Sequence, residues 1–161
     1  MEKVLRGVYN SPKLKIFLKI ISHASALYSA LAFVEMLFLI YKESFVSAIK
    51  LAAAAAVPFV VVTLVRRKIN APRPYELYGF YKVKPKGKGG RSFPSRHVFC
   101  AFLIAVLGYT VSLPIMFALM LPGVLLAVSR VLLGIHFIRD VVAGALIGIV
   151  SGGIGLLIVI L

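Results

Sequence analysis

Five apolar stretches lie near residues 22–41, 45–65, 95–112, 113–133 and 136–161, with short polar breaks between them except for one long basic segment after the second. About 20 residues at ~1.5 Å of rise each cross the hydrocarbon core of a bilayer, and a helix satisfies its own backbone there. The chain is therefore expected to be all-α, a polytopic membrane bundle of about five transmembrane helices. Composition agrees: at 61% hydrophobic residues and a mean hydropathy of +0.99, the 161-residue chain is too apolar for a soluble protein of its size. It has room for one domain, 1–161.

Against that apolar bulk stands a formal charge of +14, from 19 basic and 5 acidic residues. Clustered base on an apolar chain points to anionic headgroups or an anionic substrate, with topological charge bias contributing part of the excess. Nucleic acid fits poorly as a partner, because the basic residues flank apolar spans instead of covering a soluble face. The lone Cys100 forms no internal disulfide and reads as core. Three His, one Cys and one Asp lie without ligand spacing, so no metal or other cofactor is expected.

Taken in order, residues 1–21 mix Lys3, Arg6, Lys13, Lys15 and Lys19 with apolar residues, which suits an interfacial amphipathic arm. Lys19 interrupts the apolar core that a cleavable leader would need. Lys42-Glu43-Ser44 turns the chain back, and the second stretch carries five consecutive alanines, Ala52 to Ala56, that permit close helix approach. Residues 66–95 form a basic loop: the run from Arg66 through Arg96 holds ten Lys or Arg, both ends included, with Gly and Pro turns and almost no apolar period.

The segment Ser129 to Asp140 concentrates chemistry. It holds the only Asp of the chain, four residues after His136, so on a helix the carboxylate reaches the imidazole. A carboxylate there would hold one ring nitrogen as N–H and leave the other free to attack. Arg130 adds a permanent cation of the geometry that phosphate prefers. From this segment alone, a satisfied boundary His and a snorkelling Arg read equally well. Topology decides between the two. The end of the second stretch, the start of the third, the end of the fourth and the start of the fifth share one side of the bundle. Those ends carry Arg66 and Arg73, Ser95 and His97, Arg130, and His136 with Asp140. A shared site is then the better reading.

Pro94 and Ser95 open the third stretch as a stop and an N-cap, and the free N–H groups that follow make an anion site over Ser95 to His97. His97 is a second imidazole, suited to protonate a leaving oxygen and later activate water. Arg73, fixed between Pro72 and Pro74, and Arg66 supply further cations.

These residues resemble three segments of the type 2 phosphatidic acid phosphatase superfamily, which includes bacterial lipid phosphatases and vanadium haloperoxidases. The family carries K-x6-R-P, then P-S-G-H, then S-R-x5-H-x3-D. Here they stand as Arg66-x6-Arg73-Pro74, Pro94-Ser95-Arg96-His97, and Ser129-Arg130 with His136 and Asp140. Arg66 replaces the family's Lys and Arg96 its Gly. The resemblance implies His136 as nucleophile, Asp140 as its partner and His97 as general acid, with Arg66, Arg73, Ser95 and Arg130 on the phosphate oxygens. Arg96 retains the backbone N–H of the family's Gly, and its side chain either adds a contact or faces headgroups. The implied activity is hydrolysis of a lipid phosphate without metal, through a phosphohistidine. Phosphatidylglycerol phosphate, phosphatidate and isoprenyl diphosphates all suit a pocket that grips phosphate and leaves tails in lipid. Two other readings stay open: vanadate-dependent halide oxidation, and a non-catalytic anionic-lipid binder.

Three geometric expectations accompany this one. All Lys and Arg except Lys42 and Lys50 fall on the site side, so the positive-inside rule places the site at the cytoplasmic face of the cell membrane. From His136, each fourth residue is Asp140, Gly144, Gly148 and Gly152, a small-residue groove for close packing. Glu35 and Lys50 stand equally far from the first turn, at a matching depth that would allow an ion pair.

Overall fold

The computed structural model describes residues 2–78 and 89–161. Among these residues seven α-helices follow in order: α1 (Glu2–Asn10), α2 (Pro12–Glu43), α3 (Phe45–Ile69), α4 (Pro74–Tyr78), α5 (Arg96–Leu107), α6 (Leu113–Leu132) and α7 (Ile138–Ile160). A 3-10 turn, Gly108–Thr110, extends α5. The caps explain where the chain reverses. Ser44 Oγ accepts the N–H of Ser47 at 3.2 Å at the head of α3, and Ser112 Oγ accepts that of Ile115 at 3.3 Å at the head of α6. Asn70 ends α3 in the left-handed conformation at φ 45°.

Among the described residues four helices, α2, α3, α6 and α7, are long and apolar enough to cross a membrane. Large apolar side chains such as Leu31, Phe38, Val61, Phe117, Leu121 and Ile154 stand exposed on their outer faces, where lipid is the matching solvent. Their inner faces close on α5, which packs against all four. Val98, Phe99, Ala101 and Leu103 to Leu107 are all buried, so beyond Arg96 and His97 α5 is apolar because protein surrounds most of it. With its 3-10 turn it rises only about 24 Å. A centre that short suffices because its neighbours, not α5, meet the lipid.

Small residues set the tightest approach. A Cβ placed on Gly144 would lie 2.6 Å from the Ser95 carbonyl oxygen, and one on Gly148 would lie 2.5 Å from that of Phe99. At Gly152 it would meet Val106 at 2.7 Å, and at Gly155 it would meet Ala54, in the alanine run of α3, at 2.9 Å. The glycine ridge thus faces α5 and α3 as the sequence suggested.

Several boundaries differ from expectation. The amphipathic arm and the first span are not divided near residue 21: α1 ends at Asn10, and α2 then runs unbroken from Pro12 through Lys13, Lys15 and Lys19. Pro12 sits where its missing N–H costs nothing, in the first turn of α2. Leu5 and Val8 of α1 are buried on the site-side end of α6, around Leu133 and Gly134. α3 reaches Ile69, so Arg66 lies in a helical turn and not in the loop. Of the loop 66–95, the segment 79–88, including Lys86, lies outside the described residues. Glu35 is exposed on α2 and forms no ion pair with Lys50. Equal depth on two antiparallel helices leaves rotation about each axis free, and here rotation carries Glu35 outward.

Candidate active site

At the site-side end, α3, α5, α6 and α7 each deliver their residues within one turn of a terminus. α6 ends at Leu132, and Gly134 at φ 66° turns the chain so that the N–H groups of Ile135 and His136 return to the Arg130 carbonyl, at 3.0 and 3.3 Å. His136 is therefore not on a helix. It precedes the N-cap Phe137, and Asp140 lies in the first turn of α7. The pair still meets, with His136 Nδ1 3.6 Å from Asp140 Oδ2, but a tight turn brings it together, not a shared helical face. Both side chains are buried.

Asp140 holds this turn in shape. Its Oδ2 accepts the Phe137 N–H at 2.9 Å and the hydroxyl of Ser92, and its carbonyl accepts the Ser95 N–H at 2.9 Å. Ser92 Oγ also lies 3.3 Å from His136 Nδ1. Ser92 is fully buried and escaped the sequence reading. It stands 44 residues from His136 in a segment with no period, and no local spacing signals its role. With Nδ1 facing the Ser92 oxygen and the carboxylate, the ring proton belongs on Nδ1, which leaves Nε2 with its lone pair free. Burial pushes the His136 imidazole below its ordinary value of 6.5. The Asp140 contact opposes the shift, and the charges of Arg73 and Arg66 add to it. A neutral ring with a free Nε2 is a nucleophile.

Arginines surround it. Arg66, in the last turn of α3, is buried and donates from Nη2 to the Arg91 carbonyl. Arg73 donates from Nε to the Gly90 carbonyl at 3.1 Å. Glu76 ties the two loop ends together, accepting the N–H of Arg73 at 3.2 Å and that of Gly90 at 2.7 Å. Ser92 N–H adds a bond to the Ala71 carbonyl at 2.9 Å. Arg130, in the last turn of α6, keeps Nε buried without a hydrogen-bond partner among the described residues. Ser95 occupies the N-cap of α5, yet its hydroxyl does not cap the helix and is likewise buried, with no partner among the described residues. Such donors are costly to leave unmet. A phosphate oxygen would satisfy both.

His97, in the first turn of α5, opens on an apolar groove of about 200 Å³. Arg130, Arg96, His136 and Arg66 all lie close enough to act on it electrostatically. Arg96 lays its guanidinium over the Phe59 ring, 5.2 Å from the centroid. The structure thus gathers Arg66, Arg73, Ser95, Arg96, His97, Arg130, His136 and Asp140 at one end of the bundle.

Apolar outer faces around a basic, imidazole-bearing end define the class of the molecule, a multi-pass membrane protein that gathers its arginines and histidines at one end of the bundle. The sequence profile of the PAP2 superfamily matches residues 26–160, and the chain belongs to that superfamily. No curated protein matches the sequence. Among solved structures, LpxE from Aquifex aeolicus is similar, with 28% identity and a TM-score of 0.71 over 96% of this chain and 93% of that one. A transmembrane PAP2-type phosphatidylglycerolphosphate phosphatase from Bacillus subtilis shares the fold, with 20% identity and a TM-score of 0.70 over 96% and 81% of the two chains.

Proposed function

We propose that this protein removes a phosphate group from a membrane lipid through a phosphohistidine on His136, with no metal. The buried triad of Ser92, Asp140 and His136, with Nε2 free among arginines, carries the reading. In the first step Nε2 attacks phosphorus, Arg66, Arg73 and Arg130 neutralise the equatorial oxygens, and His97 protonates the departing oxygen. In the second, His97 takes a proton from water as that water attacks the phosphohistidine, releasing phosphate and restoring the imidazole. Ser95 Oγ and the first N–H groups of α5 bind the same oxygens.

A path for the lipid supports this order of events. The groove at His97 borders a second apolar cavity of about 390 Å³, the two sharing Phe59, Cys100 and Ile104. Small residues line part of each, Ala26, Ser29 and Ala30 of α2 in the first and Ala52, Ala55 and Ala56 of α3 in the second, beside the larger Phe33, Phe59 and Leu126. A tail lying there would stay in apolar surroundings while its headgroup reached His97. The groove favours a lipid over a soluble ester.

Purified protein in detergent should release phosphate from at least one of phosphatidate, phosphatidylglycerol phosphate and an isoprenyl diphosphate, with chelator present. His136→Ala should abolish release and acid-labile labelling of the protein by radioactive phosphate. Phosphate release by His136→Ala, or binding of these lipids without turnover, would refute the catalytic reading.

A further inference from the structure

Next to the triad lies a second basic hollow, of about 360 Å³, walled by Thr63, Arg66, Arg67, Arg73, Arg91 and Arg96. Two of these arginines, Arg66 and Arg73, also face the phosphate in the mechanism above. Arg67, Arg91 and Arg96 are additional, and among the described residues no carboxylate lines the hollow. Glu76, which ties the loop ends nearby, has its oxygens on the N–H groups of Arg73 and Gly90. Guanidinium groups remain charged at any working pH, so five around one hollow repel one another until anions enter. One transferred phosphate brings about two negative charges, which Arg66, Arg73 and Arg130 already balance.

We propose that this hollow is a second anion subsite, in which Arg67, Arg91 and Arg96 hold the inner phosphoryl group of a lipid diphosphate while the terminal group faces His136. The proposal rests on the phosphatase reading. Shared walls carry the assignment: because Arg66 and Arg73 border both places, the two anions sit side by side, as two phosphorus atoms joined through one bridging oxygen would. Arg96 lines the hollow on one side and the apolar groove on the other, where the inner phosphate would continue into the tail. As the His136 Nε2–phosphorus bond forms, the bond from terminal phosphorus to the bridging oxygen breaks, and that oxygen leaves with its electron pair on a lipid monophosphate. Water then cleaves the phosphohistidine, giving inorganic phosphate, so one water is consumed and two monophosphate species result. Charge builds on the inner phosphate as the bridge breaks, so the three arginines grip the transition state more tightly than the substrate.

The test compares a diphosphate and a monophosphate bearing the same isoprenyl tail, in neutral detergent. The variants are Arg67→Gln, Arg91→Asn and the pair together. Arg91 has φ 55°, a conformation that Asn tolerates, so the loop keeps its shape. Wild type should prefer the diphosphate in kcat/KM. The double variant should lose that preference by about tenfold or more while monophosphate turnover stays within about twofold. An unchanged preference, or equal loss on both substrates, overturns the proposal. A second arm adds phosphatidylglycerol to the monophosphate assay. If that lipid stimulates wild type but not the double variant, and the diphosphate preference survives, the hollow serves a neighbouring headgroup and the proposal fails. Should wild type hydrolyse neither substrate, the phosphatase reading itself falls, and calorimetry with inorganic pyrophosphate and phosphate still decides the subsite. Tighter pyrophosphate binding that the double variant loses supports it, and equal binding refutes it.

Discussion

At the scale of single residues, the site turns on which nitrogen of His136 carries the proton, and Ser92 and Asp140 decide that together. A hydrogen bond to a charged acceptor is worth about 1.5–3 kcal/mol, so Ser92→Ala should lower kcat about ten- to hundredfold with KM little changed. An unaltered kcat would reduce Ser92 to a packing residue. Burial holds the His136 imidazole below 6.5 in the folded protein, whereas in the unfolded chain it protonates near that value. As pH falls past 6.5 the unfolded state gains its proton first, so this residue withdraws stability on the acid side and contributes no pH dependence above it. NMR of ring-labelled histidine should give a His136 midpoint below 6.5, and a midpoint above it would contradict the geometry. His97 acts on the leaving group, so His97→Ala should cost least on aryl phosphates, which depart without a proton, and most on alkyl lipid phosphates. Equal losses on both would remove that role.

Among the helices, α5 and α7 matter most, because their contact positions Ser95 and His97 against Asp140. Their separation is set by glycine. At Gly148 even a single methyl would collide with the Phe99 carbonyl at 2.5 Å, and that backbone cannot swing aside as a flexible side chain would. Gly148→Ala should therefore cost about 1–3 kcal/mol or more and lower both melting temperature and turnover. Gly153, with nothing within 4 Å of its would-be Cβ, is the matched control, and Gly153→Ala should behave as wild type. Thermal unfolding in detergent separates the two. A Gly148→Ala protein as stable as the control would mean that α7 packs on another face. In the first hairpin, Glu35 lies exposed, so a double-mutant cycle between it and Lys50 should give coupling within about 0.5 kcal/mol of zero.

The whole molecule is built inside out. Four long helices give lipid their apolar faces, and the most buried helix in the bundle is the short one that carries His97 and Ser95. Polar chemistry is confined to one end, where basic residues are also needed by the reaction, so charge bias and function point the same way. Orientation still yields to experiment. A cysteine at Lys68, exposed near the end of α3, in a Cys100→Ser background should resist impermeant thiol reagents in intact cells and react after permeabilisation, if the site faces the cytoplasm. Labelling without permeabilisation would turn the molecule over.

Much of this was legible before any coordinates, because solvent and spacing act locally. A run of apolar residues has one stable form in hydrocarbon, and alternating spans force their ends to alternate sides, so the gathering of Arg66, Arg73, Ser95, His97, Arg130, His136 and Asp140 followed from span count and motif order. Glycines at every fourth position likewise declared a packed ridge. What spacing could not supply was rotation, turn geometry and distant neighbours. Glu35 and Lys50 matched in depth but not in facing, since depth depends on residue number and facing on how side chains interlock. His136 and Asp140 met through a turn at Gly134, whose left-handed φ lets the chain fold back on the Arg130 carbonyl. Ser92 entered the triad, and five arginines came to surround one hollow, only because the loop ends are strapped through Glu76, Gly90 and Ala71. The bonds of Gly90 to Glu76 and of Ser92 to Ala71 span the loop, and tertiary structure alone brings their ends within reach.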